Sequence, residues 1–235
     1  MADRLSVRAG RELDNQTVAG SVAEVGASTA EKVQIAALQL FATRGFQATG
    51  IRDIARQANI SVASLYHYMH SKEDLLMQIM RDDMEVLVEG ARDILESTVD
   101  PIEQVTQLVA FHVGRHARYS LRAIVGDTEL RSLSEDSRRE IVGLRDHYEI
   151  MWRETITTGA RQGQFRIGDV KMSALALLEM CTGVAHWYSP NGRMTMEEIV
   201  NNFVDMALSL LNATDLPREL REGRKREARH SRKHP

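Results

Sequence analysis

The sequence predicts an all-α protein, a small three-helix head on a larger helical body. Three observations carry this. Apolar residues recur at helical spacing in almost every segment from residue 29 onward. Only four prolines occur in 235 residues, and one is the last, so long helices run uninterrupted. No alternating apolar run is flanked by an Asn-Gly or Asp-Gly turn, so nothing reads as a strand.

The first 28 residues are rich in Ala, Gly, Ser and Val without sustained periodicity and read as a flexible arm. Ser28 or Thr29 caps the first helix, with Glu31 in its first turn. Val33, Ala36, Ala37, Leu40 and Phe41 line one face of it, and Gly45 ends it. Thr49 opens a second helix over 50–58, with Ile51, Ile54, Ala55 and Ala58 as its apolar face and Asn59 in its C-terminal turn. Ser61 caps a third over 62–70 carrying Val62, Leu65 and Met69. Ser71 caps a fourth, which reaches about Thr98. Pro101 then sits in a first turn, where its missing N–H costs nothing. Val105, Leu108, Val109 and Val113 follow as a buried stripe. A short segment over 121–133 precedes a long helix over 135–162 that Gly163 closes. Two final helices, 169–188 and 195–212, flank the turn cluster Ser189-Pro190-Asn191-Gly192. These readings divide the chain into an arm (1–28), a head (29–75), a body (76–214) and a charged tail (215–235).

The net charge of −3 is unevenly spread. The body, over 76–217, holds 14 basic and 22 acidic side chains; the head balances at +1; residues 218–235 hold 8 basic and 3 acidic. A polyanion is therefore tolerated at the head and tail and repelled by the body. The lone Cys181 excludes an intrachain disulfide and a cysteine zinc cluster, and fits a reducing, cytoplasmic setting. No apolar run reaches the roughly 18 residues of a membrane span, and no apolar region follows the arginines of the N-terminus as in a secretory signal. The Gly-x-Ser-x-Gly elbow, the phosphate loop and the dinucleotide fingerprint are all missing, and Cys181 lies mid-helix among apolar residues. No catalytic residue, metal or cofactor is expected. His112 and His116, four apart, lack a third ligand at metal spacing.

Helix 50–58, a turn of about four residues and helix 62–70 have helix-turn-helix spacing. A major groove about 12 Å wide admits one helix. Hydroxyls of Ser61, Ser64, Tyr66 and Tyr68, together with His67, suit phosphates and base edges there, and Lys72 offers a further phosphate partner. The alternative on spacing alone is an ordinary helical hairpin with Tyr66 and Tyr68 packed at its edge.

The run Phe41-Ala42, Arg44-Gly45-Phe46, Thr49, Ile51-Arg52-Asp53-Ile54-Ala55, Ser61, Leu65-Tyr66-His67-Tyr68 and Ser71-Lys72-Glu73-Asp74-Leu75-Leu76 strongly resembles the DNA-binding domain of TetR-family transcriptional regulators. The match extends in register from Glu31 to Leu76. The resemblance implies an all-α homodimer that reads a pseudo-palindromic double-stranded operator through helix 62–70. It implies phosphate contacts at Thr49, Tyr66, Tyr68 and Lys72, and base contacts at Val62, Ala63, Ser64 and His67; Ser61 and Arg52 complete the candidate surface. Ala63 stands where the family often has glycine, and Met69 where it usually has phenylalanine.

In the body, Asp127 to Leu133, Trp152, Gly163-Gln164-Phe165 and Trp187 to Arg193 resemble the regulatory domains of TetR-type repressors of fatty-acid, sterol and aromatic-acid breakdown. That resemblance implies a small-molecule effector, an amphipathic anion such as an acyl-CoA or a carboxylic acid. Phe111, Arg115 and Tyr119 share a helix edge, with Arg118 and Arg122 extending a positive strip and His112 and His116 on the adjacent row. One reading is a packing edge beside a solvated edge. The other is a pocket wall in which Phe111, Arg115, Tyr119, Arg122, Trp152 and Met180 hold a ligand. Glu129 and Glu179 keep open a multidrug-type sensor of cations, and a helical ligand-binding protein without DNA binding is the remaining alternative. The stripe Leu175, Leu178, Gly183, Val184 and Trp187, with Ile199, Phe203, Met206 and Leu210, is the dimer face that the resemblance implies; the alternative is that these helices close the monomer's own core.

Overall fold

The computed structural model describes residues 28–214, and every regular element within them is helical. Except for Ser28, the expected arm lies outside the described residues, as does the charged tail from residue 215. The chain forms two compact units that divide between Leu76 and Met77.

In the first unit, α1 (Thr29–Arg44) starts in a reciprocal capping box. Ser28 Oγ accepts from Glu31 N at 3.2 Å, and the Glu31 carboxylate accepts from Ser28 N at 2.7 Å. Gly45, at φ 81°, ends it. Helix α2 (Ile51–Gln57) begins after Gly50 rather than at Thr49, and Asp53 accepts from the Gly50 N–H. It closes in a Schellman motif. Asn59 takes φ 56°, and Ile60 N donates to Ala55 O at 3.0 Å. Helix α3 (Val62–Leu65) is shorter than its expected span of 62–70. Beyond it the chain tightens into a turn, with His67 N on Ser64 O and Tyr68 N on Leu65 O. This brings Leu65 and Met69 both into the core just before Ser71 caps α4 (Lys72–Ser97). Val33, Ala37, Phe41, Ile54, Leu65 and Leu75 fill that core.

The second unit takes the rest of α4, then α5 (Pro101–Arg118), α6 (Ser120–Glu129), a 3-10 turn (Leu130–Ser132), α7 (Glu135–Arg161), α8 (Val170–Thr182), α9 (Val184–Trp187) and α10 (Met196–Leu210). Asp100 caps α5, with Pro101 at its first position, and Ile102, Val105, Leu108, Val109 and Val113 are buried along it. The segment over 121–133 divides into α6 and the 3-10 turn that follows it. The single helix expected over 169–188 is broken after Thr182, where Gly183 joins α8 to the short α9. The turn at 189–192 is closed by Gly192 N on Ser189 O at 2.9 Å. Gly163 (φ 74°) and Asn212 (φ 45°) end α7 and α10 as Asn59 ends α2. Two glycines permit tight helix contacts: a Cβ on Gly90 would fall 2.3 Å from Phe111 Cζ, and one on Gly159 would fall 2.2 Å from the Phe165 ring.

Candidate nucleic-acid interface and effector-binding core

The surface around α3 is built by its cap. Ser61 Oγ accepts from Ser64 N at 3.0 Å and lies 2.9 Å from Ser64 Oγ, which fixes the first turn. Ser61, Val62, Ala63, Tyr66, His67 and Tyr68 are exposed, and Ser64 is half-buried. Tyr66 is 50% exposed and Tyr68 39%, so neither aromatic is the packed edge of an ordinary hairpin. Arg52 is exposed on α2. Leu65 and Met69, at 0% and 2% exposure, point the other way and anchor the segment.

Two residues expected at phosphates, Thr49 and Lys72, have partners inside the protein. Thr49 is buried, its hydroxyl donates to Gly45 O at 2.8 Å, and its N–H donates to Phe46 O. Lys72 is half-buried and its Nζ donates to Phe46 O at 2.7 Å and Thr49 O at 2.8 Å, lying 4.2 Å from the centre of the Phe46 ring. Both residues hold the 45–49 turn. An ammonium serves well here because the two carbonyls lie in a turn outside either helix ladder, and a charged donor makes the stronger bond.

In the body, the row of His112 and His116 is more buried than the neighbouring row of Phe111, Arg115 and Tyr119. His112 and His116 are stacked with centroids 3.9 Å apart and are 3% and 7% exposed. His112 Nδ1 is 3.1 Å from the Tyr148 hydroxyl, and Nε2 is 3.0 Å from Thr182 Oγ1. His116 Nδ1 donates to His112 O at 3.0 Å. Burial lowers the pKa of both rings, that of His112 strongly, with neighbouring His116 and Arg115 adding to it. Burial likewise raises the Tyr148 phenol, and the nearby Trp152 indole partly offsets this. The Trp152 N–H nevertheless makes no hydrogen bond of acceptable geometry. Cys181, buried, has its thiol pushed up to about 12. Among the described residues, no group of three or more His, Cys, Asp or Glu is placed to hold a metal ion.

The expected ligand wall divides differently. Phe111 seats its ring on Gly90, a packing role. Arg115 pairs with Asp83 at 2.5 Å, both 14% exposed, and lies 5.0 Å from the Tyr119 ring centre. The positive strip is thus locally neutralised at Arg115, and His116 does not add to it. Arg122 reaches Ile79 O at 3.4 Å. Trp152 is fully buried and Met180 partly so. Two surface depressions stand out, one lined by Asp127, Thr128, Leu130, Arg131 and Arg138, the other near Arg166 and Asn212. Neither contains an expected ligand residue, and Trp152 is fully buried. Thr182 and Asp83 gave no sequence signal, because one hydroxyl and one of many acidic residues look ordinary until the fold brings them to His112 and Arg115.

The dimer stripe also splits. Val184, Ile199 and Phe203 are buried in the monomer, whereas Leu175, Trp187, Met206 and Leu210 are exposed, Trp187 by 56%; Met172, which the stripe did not include, is exposed by 64%.

Residues 35–79 match the family described as bacterial regulatory proteins, tetR family, and residues 98–211 match the tetracyclin repressor-like C-terminal domain. The transcriptional repressor KstR2 of Mycobacterium tuberculosis is 27% identical over 187 residues, 79% of this chain and 93% of that protein. The solved structure of the ketosteroid transcriptional regulator KstR2 of the same species has a TM-score of 0.74 at 26% identity, covering 84% of this chain and all of that one. The TetR-family regulator PfmR of Thermus thermophilus has a TM-score of 0.69 at 29% identity, covering 79% of this chain and 99% of that one.

Proposed function

This chain belongs to the TetR family of bacterial transcriptional regulators, and we propose that it works as a homodimeric repressor released from a pseudo-palindromic operator by a small amphipathic molecule. The observation that carries the DNA reading is the exposed surface Ser61, Val62, Ala63, Tyr66, His67 and Tyr68, anchored from behind by Leu65 and Met69. Two such surfaces in a dimer would read two half-sites, with Ser64 and Arg52 at their margins. The exposed Met172, Leu175, Trp187, Met206 and Leu210 supply an apolar face for a second copy. The effector acts by binding one state of the dimer better than the other, and its differential affinity sets the extent of release.

We read the effector as lipid-derived, with an acyl-CoA ahead of a free carboxylic acid. Similarity to a regulator whose name refers to ketosteroids supports an apolar skeleton. The competing cation sensor needs acidic groups facing the core. Glu179 is exposed, and Glu129 accepts from Ser132 Oγ at 2.8 Å.

Fluorescence anisotropy on the promoter DNA of its own gene tests this reading. Binding should weaken in Tyr66→Phe and strengthen as salt falls. Acyl-CoA should release the complex at lower concentration than the matching acid. Failure to bind that DNA even at low salt overturns the repressor reading, and release by cationic dyes alone overturns the effector reading.

A further inference from the structure

Buried polar groups in folded proteins are almost always paired. The body core places four hydrogen-bond donors together on α5, α7 and α8: the His112 ring N–H, the Tyr148 and Thr182 hydroxyls, and the Trp152 indole N–H. His112 is neutral, so one ring nitrogen donates and the other accepts. Its bonds to Tyr148 and Thr182 therefore consume two of the four hydrogens. One is the ring hydrogen, given to one hydroxyl oxygen. The second comes from the other hydroxyl. The indole N–H, buried, has no acceptor of acceptable geometry, and one hydroxyl hydrogen is left over from the bonds to His112. The indole lies beside the Tyr148 oxygen, so the surplus is concentrated at one place. A network serving only to specify the core would gain by satisfying all its members. This one leaves the buried Trp152 N–H without a well-placed acceptor.

We propose that His112, Tyr148, Thr182 and Trp152 form the polar end of the effector site, and that they receive one uncharged acceptor oxygen, the carbonyl of a ketone, ester or thioester, carried on an apolar skeleton. The inference rests on the effector-responsive reading above and names the chemical class that fits it. An uncharged oxygen is favoured because the charge of Arg115, the cation whose field reaches His112, is balanced by Asp83 through Nη2, although its buried Nε has no partner. A carboxylate would enter the core without a counter-ion. The skeleton finds room by displacing adaptable side chains, since Met84, Met151 and Met180 belong to or pack against the same core cluster. Thr182 is also the last residue of α8, next to the break at Gly183. Exchanging its bond to His112 for one to a ligand loosens that helix end.

Calorimetric titration of the full chain uses two matched probe pairs, 2-undecanone against undecanoate and 5α-androstan-3-one against 5α-androstane. At least one ketone should bind about tenfold more tightly than its partner, the size of one to two net hydrogen bonds. Trp152→Phe and Thr182→Val should each remove most of that preference. The infrared carbonyl stretch of the bound ketone should move to lower wavenumber in the parent and return toward its free value in the variants. If Trp152→Phe does not fold, Thr182→Val decides, since it alters one half-buried hydroxyl at a helix end. Binding of neither ketone, equal binding of undecanoate, or a preference unchanged by Thr182→Val overturns the proposal. The titration needs no DNA. A protein that prefers ketones but ignores DNA therefore sinks the repressor reading alone, while one that is released from DNA by ligands without any carbonyl preference sinks this inference alone.

Discussion

Replacing Lys72 with methionine keeps the side-chain stem and removes the ammonium. In the structure that ammonium donates to two carbonyls, Phe46 O and Thr49 O, and lies over the Phe46 ring. A hydrogen bond from a charged donor contributes about 1.5–3 kcal/mol, and an exposed cation–π contact about 0.5–1 kcal/mol. Lys72 is only half-buried, and water can reach the abandoned carbonyls. A net loss of about 2 kcal/mol from local stability is therefore expected, equivalent to about a 30-fold faster amide hydrogen exchange in the 45–49 turn. Operator affinity should fall because the turn preceding α2 loosens. The dependence of affinity on salt should keep its slope, since no phosphate contact has been lost. A direct phosphate contact predicts the reverse, a slope shallower by about 0.9 for the one charge removed, with exchange unchanged. Hydrogen exchange and a salt titration on the same protein separate the two. The second pattern would refute the reasoning.

Gly90→Ala should destabilise the protein by about 1–3 kcal/mol because its Cβ would collide with the Phe111 ring. Gly143→Ala, in the exposed interior of α7 with nothing within 4 Å, should stabilise it by about 0.5–1 kcal/mol; thermal melts giving the opposite order would contradict both. His112 and His116 have folded pKa values below their unfolded value of 6.5, so their contribution is intact above pH 6.5. It is lost as pH falls, by up to about 1.4 kcal/mol per unit for each ring that stays neutral while its unfolded counterpart is protonated. Urea unfolding between pH 7 and 5 checks this, and His112→Leu should flatten the dependence. Met206→Glu, on the exposed face of α10, should dissociate the dimer, as read by sedimentation velocity, while leaving the far-ultraviolet spectrum of the monomer unchanged.

Periodicity and punctuation made the helices legible. Ser28 with Glu31, Gly45, Pro101 and Gly163 act within one turn of themselves, so their effects are written locally. The break at Gly183 was not legible, because Gly183 adopts ordinary right-handed helical angles (φ −54°, ψ −23°) and the sequence on both sides is helical in character. The site divides in the same way. Exposure of Tyr66 and His67 follows from which side of a short turn Leu65 and Met69 must bury. The partners of Lys72 and Arg115 lie 23 to 32 residues away, and a cation's choice between phosphate, carboxylate and carbonyl depends on those distant neighbours. His112 and His116 stand in an apolar helix, which marks them as unusual, but only the arrival of Tyr148 and Thr182 shows that His112 is satisfied rather than solvated.

The burial of Cys181 has a practical consequence. It is the chain's single thiol, it neighbours Thr182, and at ordinary pH it is neither accessible nor ionised. A thiol reagent such as dithionitrobenzoate therefore reacts only when the core opens, and the rate of colour development reads the frequency of that opening without any introduced label. A compound that keeps the core closed slows the reaction, and one that props it open speeds it, so a ranking of effectors can be obtained on unmodified protein before any operator is known.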